Sequence, residues 1–536
     1  MLKSKLLFLT LILGTLSFTA YSFEKTVENS VQTILSNNKT ELDSAVNFLV
    51  ETKTPHTYAL IGAVLEKRLY VKGTKAYTLF PGIKSYYEVY PEFKEAESDV
   101  AGITPLKLSR KYILKFRPLS KYTQLYTPVA QSKLNAYQRF KQSGTLEDVA
   151  FLTEQLKTES DEKVKAAGNE AIYTIWLLSG NEQLEMNALA QLGEGASDQM
   201  LDPLEQYLKK KENAPQDQSY ILASELISTI QARERFINTA QNLFSGISLG
   251  SILLLVALGL GIIYGLAGVI NMSHGEFLMI GAYTTYVIQQ CFISYLPASW
   301  FEGYFWVSLP LSFITAGLIG LLIERLIIRH LYNKPLESLL GTWGLSLIMI
   351  QICRSIFGDI TAVKSPELLS GGIEVMDGLI LPFNRLFIIG LTVFMGVLTY
   401  IVFFKSRLGV KIRAVTQNRN MSACLGISTK RIDAMTFFLG SGLAGIAGCA
   451  MTLIGNVVPN MGKTYIVDSF LIVVVGGVGK LVGIIASAMG VGVLSKIFES
   501  FYEAVYGKVI MLAIIIFFLQ FKPKGLFPDK GRLSEE

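Results

Sequence analysis

The chain has 536 residues, half of them hydrophobic, and its mean hydropathy of +0.39 exceeds what the cores of a soluble enzyme of this size require. A net charge of +6 would point to nucleic acid in a soluble protein, but here the basic residues gather in short loops between apolar runs, a pattern of membrane topology rather than of nucleic-acid binding. Four cysteines without ligand spacing and only three histidines leave no disulfide or zinc framework, so neither a metal nor a cofactor is expected.

Lys3 and Lys5 precede an apolar stretch from Leu6 to Leu16, and Ala20-Tyr21-Ser22 offers the small residues that a signal peptidase reads. Residues 1–22 are therefore predicted to be a cleaved signal peptide, with an uncleaved anchor helix as the alternative. Residues 23–235 are rich in Lys, Glu, Gln and Ser, and apolar residues recur at helical spacing, as in Leu146, Val149, Leu152 and Leu156. They predict an extracytoplasmic helical domain of stacked short pairs in a HEAT-like manner, although no fixed period marks a repeat. The stretch Tyr70 to Tyr90, with Pro81-Gly82, is expected to interrupt it as a loop or hairpin. His56 stands alone, and the Lys and Glu runs read as solvated helix faces.

Residues 240–525 carry apolar segments near 244–270, 277–296, 304–328, 337–357, 385–404, 432–455, 467–495 and 508–521, each a candidate to span a bilayer. Lipid offers no partner to a free backbone group, so these must be helices, and the fold class is all-α: a polytopic membrane domain of about eight spans behind a soluble helical domain. The loop Lys405 to Arg431 holds seven basic residues and no acidic one, which places it in the cytoplasm; the acidic loop Gly358 to Asn384 belongs outside. Counting back from the basic loop puts the N-terminal domain outside too, in agreement with the signal peptide. The tail, residues 526–536, reads as cytoplasmic, yet eight crossings that start outside would end there. One segment must be irregular, and 467–495, interrupted at Gly476-Gly477-Val478-Gly479-Lys480, is expected to fall into two pieces, the first re-entrant.

Between residues 245 and 300 the ionisable groups other than tyrosine and cysteine are His274 and Glu276, a costly placement near membrane depth. They mark either a polar break on a solute path or its gate, or a helix-to-helix turn in which Glu276 suits the positive end of the next helix. The glycine-rich 476–480 stretch fails as a phosphate loop, because Leu follows Lys480, and nothing else resembles a nucleotide site. With no HExxH, paired carboxylates or nucleophile elbow in the spans, the chain is read as a transport subunit and not an enzyme.

Gly268-Val269-Ile270-Asn271-Met272-Ser273-His274-Gly275-Glu276 with Gly281-Ala282-Tyr283, then Gly341-Thr342-Trp343-Gly344-Leu345-Ser346, then Arg413 to Arg419 and Gly426-Ile427, resemble the branched-chain amino acid type permeases of ATP-binding-cassette importers. The likeness covers residues 240–525. Within that family, Thr342-Trp343-Gly344, Lys364-Ser365-Pro366 to Gly372, and Ile454-Gly455-Asn456-Val457 through Asp468-Ser469-Phe470 resemble the urea permease branch, whose larger subunit often carries a signal peptide and a long N-terminal extension. The resemblance implies a second permease subunit in a heterodimer, two cytoplasmic ATPase subunits, an extracytoplasmic solute-binding protein and a bacterial inner membrane, with no nucleic acid. It also implies an ATPase-coupling loop holding Lys411, Arg413, Ala414, Gln417, Asn418, Arg419 and Gly426, though the Glu-Ala-Ala motif of many such loops is absent.

Urea is neutral and planar, with one strong acceptor and several N–H donors, and calls for neutral polar side chains along its path. Asn271, Ser273, Thr342, Ser346, Gln351, Asn456 and Ser469 are such groups, and His274, Glu276 and Asp468 complete the candidate set. The alternatives are a branched-chain amino acid permease and, from another class, a channel or gradient-driven carrier with an extracytoplasmic sensing domain.

Overall fold

The computed structural model describes residues 26–527 apart from 37–40, 81–82, 84, 97–102, 194–195, 268–270, 332–333, 377 and 524. The signal segment, the Pro81-Gly82 turn and most of the 526–536 tail lie outside the described residues. By its contacts the chain divides into two units, Met1–Glu234 and Arg235–Glu536.

The first unit opens with helices α1 (26–35), α2 (Leu42–Thr52) and α3 (Tyr58–Leu65). Then comes an antiparallel sheet of β1 (Leu69–Lys72), β2 (Lys75–Leu79), β3 (Tyr86–Tyr90), β4 (Lys94–Glu95) and β5 (Thr104–Pro105), in the order β4-β3-β2-β1-β5. A loop or hairpin was expected here; the hairpin is present, its β1, β2 and β3 rich in the Tyr, Val and Thr that suit a half-buried pleated face, and the two-residue β4 and β5 extend it to five strands. Helices α4 (Arg110–Phe116), α5 (Ser120–Thr123), α6 (Ala130–Ser143), α7 (Leu146–Thr158), α8 (Glu162–Leu177), α9 (Glu182–Leu192) and α10 (Leu201–Lys210) complete it. The long α11 (Gln218–Ala267) starts in this unit and supplies the first helix of the second.

Several Lys and Glu side chains of this unit are not solvated. Asp148, Glu159, Glu170 and Glu185 are largely withdrawn from solvent, and each takes a lysine from another element: Lys121 at 2.7 Å, Lys133 at 2.6 Å, Lys141 at 2.6 Å and Lys211 at 2.9 Å. Asp148 also accepts from Tyr122 Oη and, at 2.9 Å, from the backbone N–H of Thr145, forming the capping box of α7. Burial pushes the Asp148 carboxyl up, but the bonds from Lys121, Tyr122 and Thr145 outweigh it and hold the group below its ordinary 3.8. A carboxyl depressed in the folded state contributes stability at pH above about 4, and that contribution is lost as pH falls further.

The second unit contains α12 (His274–Tyr295), α13 (Tyr304–Leu326), α14 (Pro335–Phe357), a hairpin of β6 (Gly372–Met376) and β7 (Leu379–Pro382), and α15 (Phe383–Tyr400). After α15 come α16 (Arg407–Gln417), α17 (Arg419–Cys424), α18 (Thr429–Met451), α19 (Met461–Gly476), α20 (Leu481–Phe501) and α21 (Ala504–Phe521). Six of these helices are long and apolar enough to cross a membrane, and α12, α19 and α21 complete the apolar set. The expected break is present: the backbone turns at Gly477 and Gly479, both in the left-handed region, and splits 467–495 into α19 and α20.

Burial separates the helices of this unit. The apolar windows of α11 and α18 are 83% and 78% buried, whereas those of α13, α14, α15 and α20 are buried for 39% or less, so α11 and α18 form its centre. Here the backbones touch. A Cβ on Gly281 would lie 2.0 Å from Gly445 O, and one on Gly448 would lie 1.9 Å from Leu278 O, so α12 and α18 cross without side chains between them.

Asp148→Asn should lower the stability of the first unit by about 3–5 kcal/mol, as loss of a buried ion pair does. In an acid titration of unfolding, the wild-type chain should lose stability below pH 4 more steeply than the variant.

Candidate helix junction and basic loop

Residues 271–273, just before α12, fold back into the helix bundle. Ser273 stands at the N-cap position of α12 without a side-chain capping bond, and Asn271 Oδ1 accepts from Ser273 N at 3.1 Å and Ser273 Oγ at 2.6 Å, closing a turn on its own side chain. Thr342 Oγ1 of α14 accepts from Met272 N at 3.1 Å and donates to Ser338 O at 2.8 Å, while Ser346 Oγ donates to Glu276 Oε1 at 2.8 Å. The α12 start is thus held by hydroxyls one turn apart on one face of α14.

The position of this junction follows from helix rise. A carbonyl can only accept, so His274 Nε2 donates to Val256 O, 3.3 Å away. Val256 lies about 21 Å along the α11 axis from Asn242 and about 16 Å from Ala267, at 1.5 Å per residue. The start of α12 therefore stands level with the middle of the apolar part of α11, residues 242–267. It meets the start of α19 there: a Cβ on Gly275 would lie 2.3 Å from Gly462 O, and one on Gly462 would lie 2.6 Å from Glu276 Oε2.

Asn271, Ser273, His274, Glu276, Thr342 and Ser346, six of the candidates, are brought together and are buried. Among the described residues Glu276 Oε2, Asn271 Nδ2 and His274 Nδ1 have no hydrogen-bond partner, and neither has Ser469 Oγ, buried on α19. Asp468 is half-buried beside it. Gln351 and Asn456 are exposed and bonded to none of the cluster. Gln351 shares α14 with Thr342 and Ser346 but falls on another face of the helix, a distinction that hydropathy does not make.

At one end of the unit the 358–382 loop is clamped to the helices. Lys364 O accepts from Gln289 Nε2 at 2.9 Å and from Tyr304 Oη at 2.5 Å, and Thr361 and Val457 exchange backbone bonds of 2.9 and 2.8 Å. Sequence reasoning did not single out Gln289 or Tyr304; a glutamine in an apolar helix was the available signal.

The basic loop forms two short helices. Ser406 caps α16, whose Ile412 and Val415 pack on Ile432 of α18, and Asn418 caps α17 by accepting from Met421 N at 2.9 Å. Gly426, at φ 80°, ends it. Lys411, Arg413, Gln417 and Asn418 are exposed and Ala414 is half-buried. Arg413 donates to Phe403 O, while Arg419 reaches back to Asp433 of α18.

The family described as branched-chain amino acid transport system / permease component matches residues 242–519, half of the chain. The chain belongs to this family. It is similar to the high-affinity branched-chain amino acid transport system permease protein LivH of Salmonella typhimurium, at 29% identity over 55% of this chain and 96% of that protein. It is also similar to BraD of Pseudomonas aeruginosa, at 28% over 53% of this chain and 94% of that protein. LivM of Escherichia coli shares 23% over 52% of this chain and 69% of its own length. No solved structure matches. The matched region of this permease family member holds both the helix junction and the basic loop.

Gly462→Ala should cost about 1–3 kcal/mol by overpacking against Glu276. Gly344→Ala, at a position with no atom within 4 Å of the added Cβ, should leave the melting temperature of the purified chain unchanged.

Proposed function

We propose that this chain is a membrane permease subunit of an ATP-driven importer for urea or short amides. The observation that carries the reading is the junction level with Val256, midway along the apolar part of α11. There Ser346 donates to one carboxylate, Glu276, beside Asn271, Ser273 and Thr342, and among the described residues neither His274 nor the nearby Lys463 is hydrogen-bonded to that carboxylate. A zwitterion's carboxylate would need a cation or several free N–H donors at such depth; a neutral amide needs hydroxyls, amide groups and a carboxylate that accepts its N–H. The unpaired Glu276 Oε2, Asn271 Nδ2 and Ser469 Oγ supply two acceptors and donors of their own. The Lys364 and Asn456-Val457 segments, which resemble the urea branch, meet in the clamp at one end of the unit.

In this reading residues 1–22 direct export, residues 23–235 stand outside the cytoplasmic membrane, and the loop containing α16 and α17 faces the cytoplasm. Its basic and apolar surface, with Met421 and Leu425 exposed beside Lys411 and Gln417, suits docking of ATPase subunits. A second permease subunit would cover an exposed apolar helix face, and a binding protein would deliver solute at the clamped end. The names of the relatives favour a second reading, a branched-chain amino acid as solute.

Labelled urea uptake, with unlabelled urea or leucine as competitor, decides between the two in cells with and without the gene. Uptake should need the chain and its ATPase partners, should be inhibited by urea and not by leucine, and should fall at least about tenfold in Glu276→Ala, the scale expected for a polar group that leaves its buried partners unpaired. Competition by leucine would favour the amino acid reading, and uptake without ATPase partners would favour a channel or carrier.

A further inference from the structure

The best-tied contact between the basic loop and the helix bundle is an ion pair at the fifth residue of α18. Asp433 is 5% exposed. Its two oxygens face the two terminal nitrogens of Arg419, Oδ1 at 3.4 Å from Nη1 and Oδ2 close to Nη2, the fork geometry that gives an arginine its orientation as well as its strength. Arg419 stands at the first position of α17, and Asn418 caps that helix, so the guanidinium is placed by a rigid element rather than a free loop. The loop is also held just past the end of α15, where Arg413 donates to Phe403 O and Gly409 lies against the same backbone, and on α18 by the small apolar cluster of Ile412, Val415 and Ile432, which resists compression but does not resist sliding.

From Asp433 the path into the bundle runs through backbone. Gly440 of α18 lies against Gly259 of α11, Gly445 against Gly281 of α12 and Ser312 of α13, and Gly448 against Leu278 of α12. Contacts of this kind contain no side chain that can change rotamer, so α18 cannot shift without moving α12. Gly281 stands little more than one turn from Glu276, the residue bonded to Ser346 at the junction. A second pair stands near the same end: Glu324 of α13 is wholly buried and takes only Arg329 Nη2 at 3.4 Å, leaving Glu324 Oε1 and Arg329 Nε without partners. Asp433 is thus not the sole buried carboxylate in this layer, and Arg329 bears on it electrostatically as well as on Glu324.

We propose that the Arg419–Asp433 pair links the basic loop to the helix junction, with Asp433 as the positioning residue that turns movement of α17 into movement of α18 and α12. The proposal rests on the reading of the loop as the docking site of an ATPase subunit. It separates two properties that docking alone would join: capture of the ATPase and transmission of its stroke. Loss of the pair should leave the first intact and impair the second.

The test uses the full importer in proteoliposomes, with Arg419→Gln, Arg419→Asp, Asp433→Arg and the exchanged double variant, reading retained ATPase, ATP hydrolysis and solute uptake. Arg419→Gln alters a half-exposed side chain and keeps the experiment informative if the buried Asp433→Arg fails to fold. In the single variants that fold, uptake per ATP hydrolysed should fall about tenfold, within the range known for residues on coupling networks, while the ATPase stays bound. The double variant should recover most of the wild-type ratio, because the fork is rebuilt in reverse. An unchanged ratio in Arg419→Gln would overturn the proposal, as would a folded double variant no better than the single variants. If the wild-type chain captured no ATPase, the docking reading itself would fail, which is a different outcome from lost rescue.

Discussion

A chain that breaks its helix in hydrocarbon must find hydrogen-bond partners within the protein, because lipid supplies none. In this protein that constraint is concentrated at residues 271–276. Asn271 closes the turn with its own side chain, Thr342 takes the amide of Met272, and Ser346 takes one oxygen of Glu276. Breaks at such depth persist only where protein or a cavity surrounds them, and the glycines that let α12, α18 and α19 touch provide that enclosure.

The enclosure has a mechanical consequence. Where helices meet through leucines or phenylalanines, small displacements are absorbed by rotamer changes; where they meet at Gly281–Gly445 and Gly275–Gly462, they are not. The centre of the second unit is therefore stiff, and the more exposed α13, α14, α15 and α20 surround it. Stiffness at the centre joins the junction to the basic loop about 20 Å away along α18, as counted from the helix rise. The first unit uses different chemistry: its helices are joined by lysines reaching buried carboxylates, an arrangement suited to water and unavailable in lipid.

Much of this was legible in the sequence for physical reasons. Apolar length reports membrane spans directly, so all the expected segments correspond to helices, and the glycines at 476–479 announced the division of 467–495 because no helix keeps its course through two residues at positive φ. The polar run 271–276 was visible because charge is rare at depth. Less legible was everything that depends on which face a residue shows. Gln351 lies on the same helix as Ser346 yet is exposed, since a lipid-facing and a core-facing position are equally apolar and give no periodic contrast. The sheet in the first unit was foreseen only as a loop or hairpin, because β4 and β5 are two residues each and carry no pattern of their own. Lys121, Lys141 and Lys211 read as solvent-facing by composition; their carboxylate partners lie on other helices and only the tertiary fold reveals them.

The docking of the α12 start onto α14 is the element on which the rest turns, and a disulfide trap measures it directly. In a chain whose native cysteines are replaced, Met272→Cys and Thr342→Cys should cross-link under mild oxidation, since Met272 N and Thr342 Oγ1 are 3.1 Å apart. The bond should form in membranes, and reduction should reverse it. Failure of this pair to cross-link, with a Met272→Cys and Gln351→Cys pair cross-linking in its place, would contradict the account.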